Sequence, residues 1–253
     1  MQSRETTNNL PSSYRLSVLI HQDGLSFFID NGNEIVNTIT RDFKHQSNPI
    51  EILESIEQAY EQEDKLQQKF DEVNLIYHHS ILSLVPASLY EESLQADYLK
   101  YNTRILQTDV ISIDENVGNM NVNVVYIAYS NINNFFFDKY GDHQYYHYSS
   151  RLLPIIKEVD GLHIEMMDSH FYLTAIQQGK LIAHNSFPYD EIEDVLYYTL
   201  YAMSQHQLDP ETIDTYLRGG NVDPKLFDLL YMYIRKLHRD KEYTIHLNKL
   251  ICA

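Results

Sequence analysis

Leu162 to Phe187 reads LHIEMM-DSH-FYLTAI-QQGK-LIAHNSF. Three apolar runs of strand length alternate with short polar breaks, and Gly179 sits in the second break, where a tight turn favours glycine. This predicts a three-stranded antiparallel meander. The same order opens the chain. Tyr14 to Ile20 (YRLSVLI) precedes the turn His21-Gln22-Asp23-Gly24, Leu25 to Ile29 (LSFFI) precedes Asp30-Asn31-Gly32-Asn33, and Glu34 to Phe43 comes next. The two starts, Tyr14 and Gly161, lie 147 residues apart.

The elements after each meander are also alike. After the first, Asn48 and Pro49 supply a helix start, and Ile52, Leu53, Ile56, Ala59 and Tyr60 recur at helical spacing. The outer face of that helix is acidic: Glu51, Glu54, Glu57, Glu61, Glu63 and Asp64. Val73 to Tyr77 then reads as a strand. After the second meander, Asp190 is expected to cap a helix running to about His206, and Thr212 to Leu217 to form a strand. Pro224 opens a helix over Lys225 to Leu237, and Tyr243 to Leu247 reads as the last strand. Between the halves lie strands at Ile81 to Val85, Asp109 to Asp114 and Val122 to Tyr129, a helix at Asn131 to Tyr140, a strand at Tyr145 to Tyr148 and a helix at Arg151 to Val159. Strand-strand-strand-helix-strand thus occurs twice. Two unrelated α+β halves are the alternative.

A meander followed by crossover helices and parallel strands resembles the ribonuclease-H-like unit, and two such units resemble the actin-like ATPase architecture. The segment Tyr216-Leu217-Arg218-Gly219-Gly220-Asn221-Val222-Asp223-Pro224-Lys225-Leu226 resembles the adenosine motif of actin-like ATPases and Hsp70 chaperones. The opening hairpin, Leu16 to Ile20 and then Asp23-Gly24-Leu25-Ser26-Phe27, is similar to the start of a small bacterial family of uncharacterised proteins with that fold. The resemblance covers about residues 13–250. It implies an α/β fold of duplicated ribonuclease-H-like units: a leader over 1–12, a first lobe over 13–142 and a second over 143–253.

The resemblance also implies where a nucleotide would sit. Gly219 and Gly220 would pass under a purine, since backbone without side chains allows close approach. Each first hairpin would supply a phosphate loop, in which an aspartate orients Mg²⁺-bound water and a glycine frees backbone N–H groups for phosphate oxygens. The candidates are Asp23 and Gly24 in the first loop and Asp168 in the second. Both loops depart from the Asp-x-Gly pattern of these ATPases: Gly24 directly follows Asp23, and Asp168-Ser169-His170-Phe171 has no glycine. The densest metal-like group is His163, Glu165, Asp168 and His170, without the tight spacing of a metal motif. His78 and His79 point to opposite faces of a strand and do not chelate together.

Composition narrows the classes. The chain has 253 residues, 43% of them hydrophobic, and 36 Asp and Glu against 19 Lys and Arg, a formal charge of −17. That balance disfavours nucleic acid, whose binding needs phosphate neutralisation, and anionic membrane surfaces. The single cysteine, Cys252, allows no internal disulfide, and residues 1–13 lack the apolar run of a signal peptide, so a cytoplasmic location is expected. The C-terminal stretch from Lys225 is locally basic, with Arg235, Lys236, Arg239, Lys241 and Lys249, and could meet an acidic partner or the acidic helix. Together these features point to a non-catalytic interaction or scaffold module with a protein partner and no cofactor, compatible with a homo-oligomer. The alternative is an ATPase or small-molecule kinase holding ATP-Mg between Asp23, Gly24, Asp168, Gly219 and Gly220.

Overall fold

The computed structural model describes residues 13–21, 23–43, 47–100, 105, 109–167, 169–219, 222–239 and 250–251. Strands β1 (Arg15–His21), β2 (Gly24–Asp30) and β3 (Ile35–Asp42) form the expected meander. Its second turn is built by Asp30, which accepts the Gly32 N–H at 2.8 Å and pairs with Arg15 at 2.8 Å. Gly32 takes φ +88°, which a side chain would oppose. Helix α1 (Pro49–Gln62) starts in a capping box: the Asn48 side chain accepts the N–H groups of Ile50 and Glu51, and Glu51 accepts the Asn48 N–H. Its buried stripe is Ile52, Ile56, Ala59 and Tyr60. This crossover returns the chain to lay β4 (Glu72–His78) parallel to β1.

An insertion comes next. Strands β5 (Leu82–Pro86), β6 (Val110–Asp114) and β7 (Val122–Ala128) make a separate antiparallel sheet in the order β5-β7-β6, with α2 (Gln95–Lys100) on the connection. Helix α3 (Ser130–Tyr140) then leads to β8 (Gln144–His147), which pairs in parallel with β4 and completes a sheet of order β3-β2-β1-β4-β8. That sheet extends past residue 143, where the second lobe is expected to begin. Helix α4 (Tyr148–Ile156) closes this half.

The second half consists of β9 (Gly161–Met166), β10 (His170–Gln177), β11 (Lys180–Pro188), α5 (Ile192–Gln205), β12 (Asp214–Gly219), α6 (Pro224–Tyr231) and β13 (Lys236–Arg239). Its sheet order is β11-β10-β9-β12-β13, the same topology as the first. The register agrees residue by residue. Leu19 faces Ser26 in the first hairpin and Glu165 faces Tyr172 in the second; Phe28 faces Thr38, and Thr174 faces His184. Each residue of the second meander lies 146 positions after its counterpart, one fewer than the spacing between Tyr14 and Gly161. The insertion has no counterpart, because only residues 220–223 separate β12 from α6.

Several local bounds change: α4 covers Tyr148–Ile156 rather than Arg151 to Val159, and β12 covers Asp214–Gly219 rather than Thr212 to Leu217. The α5 cap is Glu191, one residue later than expected, because Glu191 and Asp194 form the reciprocal capping box there. Helix α6 stops at Tyr231 rather than Leu237. Beyond it the helical stripe gives way to alternation, with Leu237 buried between exposed Lys236 and His238, and the segment becomes β13 beside β12. Tyr243 to Leu247 lies outside the described residues.

Each sheet has its own core. Leu16, Val18, Phe27, Leu75 and Ile76 anchor the first, and Ile164, Phe171, Leu173, Val195 and Leu217 the second. The C-terminal residues Leu250 and Ile251 are buried in the first core, and the Ile251 carbonyl accepts the Ser17 hydroxyl at 3.0 Å. Residues 250–251 thus pack on the lobe that contains β1. Among the described residues no helix is long and apolar enough to cross a membrane.

Candidate functional site

Strands β1 and β4 run parallel, as do β9 and β12, and the two pairs bring their C-terminal ends to one inter-lobe cleft. Crevices at the carboxyl ends of parallel strands are where open α/β sheets bind ligands. His21 and Asp23 come from the end of β1, His78 from β4, Met166 and Ser169 from the end of β9, and Gly219 from β12.

The cleft is filled by the chain itself. The Ser169 hydroxyl donates to Asp23 Oδ2 at 2.5 Å, so the two hairpin turns touch. These residues are 146 positions apart, so strand register makes Ser169 the counterpart of Asp23. Asp168 lies outside the described residues, as does Gly220. Below the turns, His78 Nε2 is 3.2 Å from His170 Nε2, and His78 Nδ1 is 3.4 Å from His21 Nδ1. Two imidazole nitrogens can share a hydrogen bond only if one of them lacks a proton. Aromatic rings continue the plug. Tyr148 and Tyr172 pack on His78 at 4.4 and 5.5 Å between centroids, and Tyr172 stacks on His184 at 5.2 Å. His184 bridges the lobes at 2.8 Å from both the Ser149 and the Thr174 hydroxyls. Tyr148 donates to Glu165 at 3.2 Å, and Glu165 lies 3.7 Å from Arg218; both are buried.

Electrostatics follow from burial. Desolvation pushes His78 and His147 well below their ordinary value, and holds His79, His170 and His184 at about 4. For His170 the nearby Asp23 carboxylate opposes this without overcoming it. These rings are neutral at physiological pH. Beside a cavity of about 380 Å³ lined by Leu82, Leu84, Tyr172, His184 and Asn185, the space left at the two turns is about 230 Å³, lined by Asp23, His78, His79, Ser169, His170 and by Ser80 and Ser186, which both cavities share. No lysine or arginine is among the described residues lining it. Ligand pockets usually occupy roughly 300–1,000 Å³.

The two described candidate glycines have structural roles. A Cβ on Gly219 would lie 2.8 Å from both the carbonyl oxygen and the Cβ of Met166, and Gly219 takes φ +149°. A Cβ on Gly24 would lie 2.9 Å from the Arg41 carbonyl oxygen. The metal-like group is dispersed. His163 contacts the Val159 carbonyl and Arg218, Glu165 contacts Tyr148 and Arg218, and His170 contacts His78. Among the described residues no three acidic, histidine or cysteine side chains are placed to hold a metal. As expected, His78 and His79 diverge: His79 contacts the Ile127 carbonyl at 2.9 Å. The basic C-terminal stretch is partly satisfied nearby, with Lys236 3.6 Å from Asp214 and Arg239 donating to the Val222 carbonyl. Sequence reasoning did not single out Ser169 or His21, and it named His78 and His170 without bringing them together. The available signal was positional: all three histidines sit at strand ends.

Known structures share this architecture. A Bacteroides thetaiotaomicron protein described as having an actin-like ATPase fold and unknown function matches with 19% identity, 96% coverage of each chain and a TM-score of 0.80. The PilM-PilN type IV pilus biogenesis complex matches with 13% identity, 96% coverage of each chain and a TM-score of 0.53. The cytoplasmic domain of EpsL, an inner membrane component of the type II secretion system of Vibrio cholerae, matches with 10% identity, 95% and 96% coverage and a TM-score of 0.52. These likenesses show an actin-like ATPase fold. No curated protein matches the sequence. A family model described as protein of unknown function (DUF3822) matches residues 3–237, and the chain belongs to that family.

Proposed function

We propose that this protein is a non-catalytic interaction module built on the actin-like fold. The observation that carries the reading is the contact between the two hairpin turns, Ser169 to Asp23, over a bed of neutral imidazoles. A triphosphate needs a gap between those turns and cationic or N–H donors aimed into it. Here the turns meet, and among the described residues the charged group they present is the Asp23 carboxylate. Gly24 and Gly219 are accounted for by close backbone approach. The lobes divide between α4 and β9, since β8 belongs to the first sheet. That two similar structures come from multi-protein assemblies is in keeping with a protein partner.

The competing reading places ATP-Mg at Asp23, Gly24, Asp168, Gly219 and Gly220. A ligand at 100 times its Kd adds about 2.7 kcal/mol of stability, or roughly 5–10 °C in Tm at this size. Thermal unfolding in millimolar ATP-Mg is expected to move by less than about 1 °C. A rise of several degrees, lost in Asp23→Ala, would establish the competing reading instead.

A further inference from the structure

The largest cavity described lies away from the cleft, between the inserted sheet and the first lobe, and holds about 690 Å³. One wall is β6 and the turn after it; the other is residues 143–146 with Ser150 and Arg151 of α4. Both walls are sheet edges, since β6 ends the order β5-β7-β6 and β8 ends the order β3-β2-β1-β4-β8. Edge strands expose unpaired backbone groups, and proteins commonly guard them with charged side chains, lysine above all, with proline, or by keeping the strand short. The other four edges here conform to that practice: β3 carries Arg41, β5 Pro86, β11 Lys180 and Pro188, and β13 Lys236 and Arg239. β6 (VISID) and β8 (QYYH) carry no lysine, arginine or proline, Asp114 being the one carboxylate on them, and these two short edges face the same cavity.

The edges differ in how far their backbone is satisfied. Beside β8, the His147 N–H donates to Asp114 Oδ2 at 2.8 Å, and the Tyr145 carbonyl accepts the Tyr126 hydroxyl at 3.4 Å. Side chains thus replace a neighbouring strand there. β6 pairs with β7 alone among the described strands, and its Val110 is 40% exposed.

Charge narrows the occupant. Asp114 and Glu115 line the cavity against one guanidinium, Arg151, which lies 4.5 Å over the Tyr146 ring. Burial raises the Asp114 carboxyl above its ordinary range, even though Ser150, the His147 N–H, the Tyr126 hydroxyl and Arg151 all favour its ionised form. The carboxylate is under-compensated, and an incoming cation would stabilise it. With a net charge of −17, the whole chain also steers basic partners toward itself.

We infer that this groove takes an extended basic segment of a partner protein, which adds a strand along β6 and sets a lysine or arginine against Asp114 and Glu115. This rests on the interaction module proposed above and names a partner class for it. ATP-Mg binding tests that reading; peptide binding tests the groove, so the two failures are distinguishable.

The probe is a fluorescein-labelled octapeptide of alternating lysine and valine, measured by anisotropy and by amide hydrogen exchange. Saturable binding is expected, with slowed exchange in residues 110–114. Affinity should fall about tenfold in Glu115→Lys, an exposed position whose replacement leaves the core intact, and about tenfold when proline replaces alternate valines. Undetectable binding would overturn the inference. So would equal affinity for the proline-bearing peptide, an unchanged affinity in Glu115→Lys, or binding without protection of residues 110–114, each of which reduces the effect to general charge attraction.

Discussion

Acidification from about pH 7.5 to about pH 5 is expected to unfold the protein or part its lobes, well above the pH at which carboxylate titration alone would act. The cause is the set of buried histidines. His78, His79, His147, His170 and His184 are all depressed below the ordinary value of 6.5, three of them to about 4. Between pH 6.5 and about 4 the unfolded chain therefore binds protons that the folded chain does not. Stability is fully present above pH 6.5 and is lost as pH falls toward the folded values. Each such histidine removes about 1.4 kcal/mol per pH unit once well inside that window. At pH 5 that comes to about 2 kcal/mol for each ring and about 10 kcal/mol for the five together, against a total stability of typically about 5–15 kcal/mol. Asp114 acts in the opposite direction, since its raised carboxyl takes up a proton more readily in the folded state, but it is one group against five. Among the described residues, the titratable groups acting on His78 and His170 are His21, Asp23, His79, His147, Tyr148 and Tyr172. Asp23 is the anion among them and is engaged by Ser169. Circular dichroism melts across this range should show Tm falling steeply below pH 6.5, and His78→Gln should move the midpoint to lower pH. A Tm unchanged down to pH 5 would contradict the description of these rings as buried and neutral.

Gly219→Ala is expected to cost about 3 kcal/mol, or roughly 10 °C in Tm. Two effects add. A residue with a Cβ is strained at φ +149°, and the new methyl would sit 2.8 Å from the carbonyl oxygen and Cβ of Met166 on the adjacent strand. β12 pairs with β9 at Gly219 and Met166, so relief would require separating the two central strands of the second sheet. Gly161→Ala should be at least as costly, with φ +144° and a Cβ 2.4 Å from the Asp214 carbonyl oxygen. The measurement separates two meanings of the Gly-Gly motif. A glycine kept for a purine would lose ligand binding on substitution and keep its melting temperature; a glycine kept for strand packing loses its melting temperature without any ligand present.

Local signals carried much of the architecture. Both meanders and their turns follow from alternation and from Asp23-Gly24, Asn31-Gly32 and Gln178-Gly179, because strands and turns are specified within a few residues. The α1 start follows from Asn48 and Pro49 for the same reason. The end of α6 did not, because Leu230, Ile234 and Leu237 fit a helical stripe as well as they fit a turn followed by a strand; the parallel partner β12 settles the choice, and it lies some twenty residues earlier. The cleft was harder still. His78 meets His170 across 92 residues, and Asp23 meets Ser169 across 146. No local pattern marks such pairs. The duplicated order did point to the right turns, but it aligned Asp23 with Asp168, one residue short of the counterpart set by strand register. The groove beside β6 was invisible for a related reason: an edge strand is recognised only when sheet order is known.

The contact between the two hairpin turns can be tested by cross-linking. In a Cys252→Ser background, Asp23→Cys combined with Ser169→Cys puts one sulfur at the place of the Asp23 Cγ, one bond short of the oxygen that now meets the Ser169 hydroxyl at 2.5 Å, so that a small side-chain movement brings the two sulfurs into bonding range. Mild oxidation is expected to give an intramolecular disulfide in the monomer, read by mass spectrometry, at a rate that millimolar ATP-Mg leaves unchanged. A pair that stays reduced, or one whose bridging ATP-Mg suppresses, would mean that the turns stand apart with room for phosphates, and the account of a self-filled cleft would be wrong.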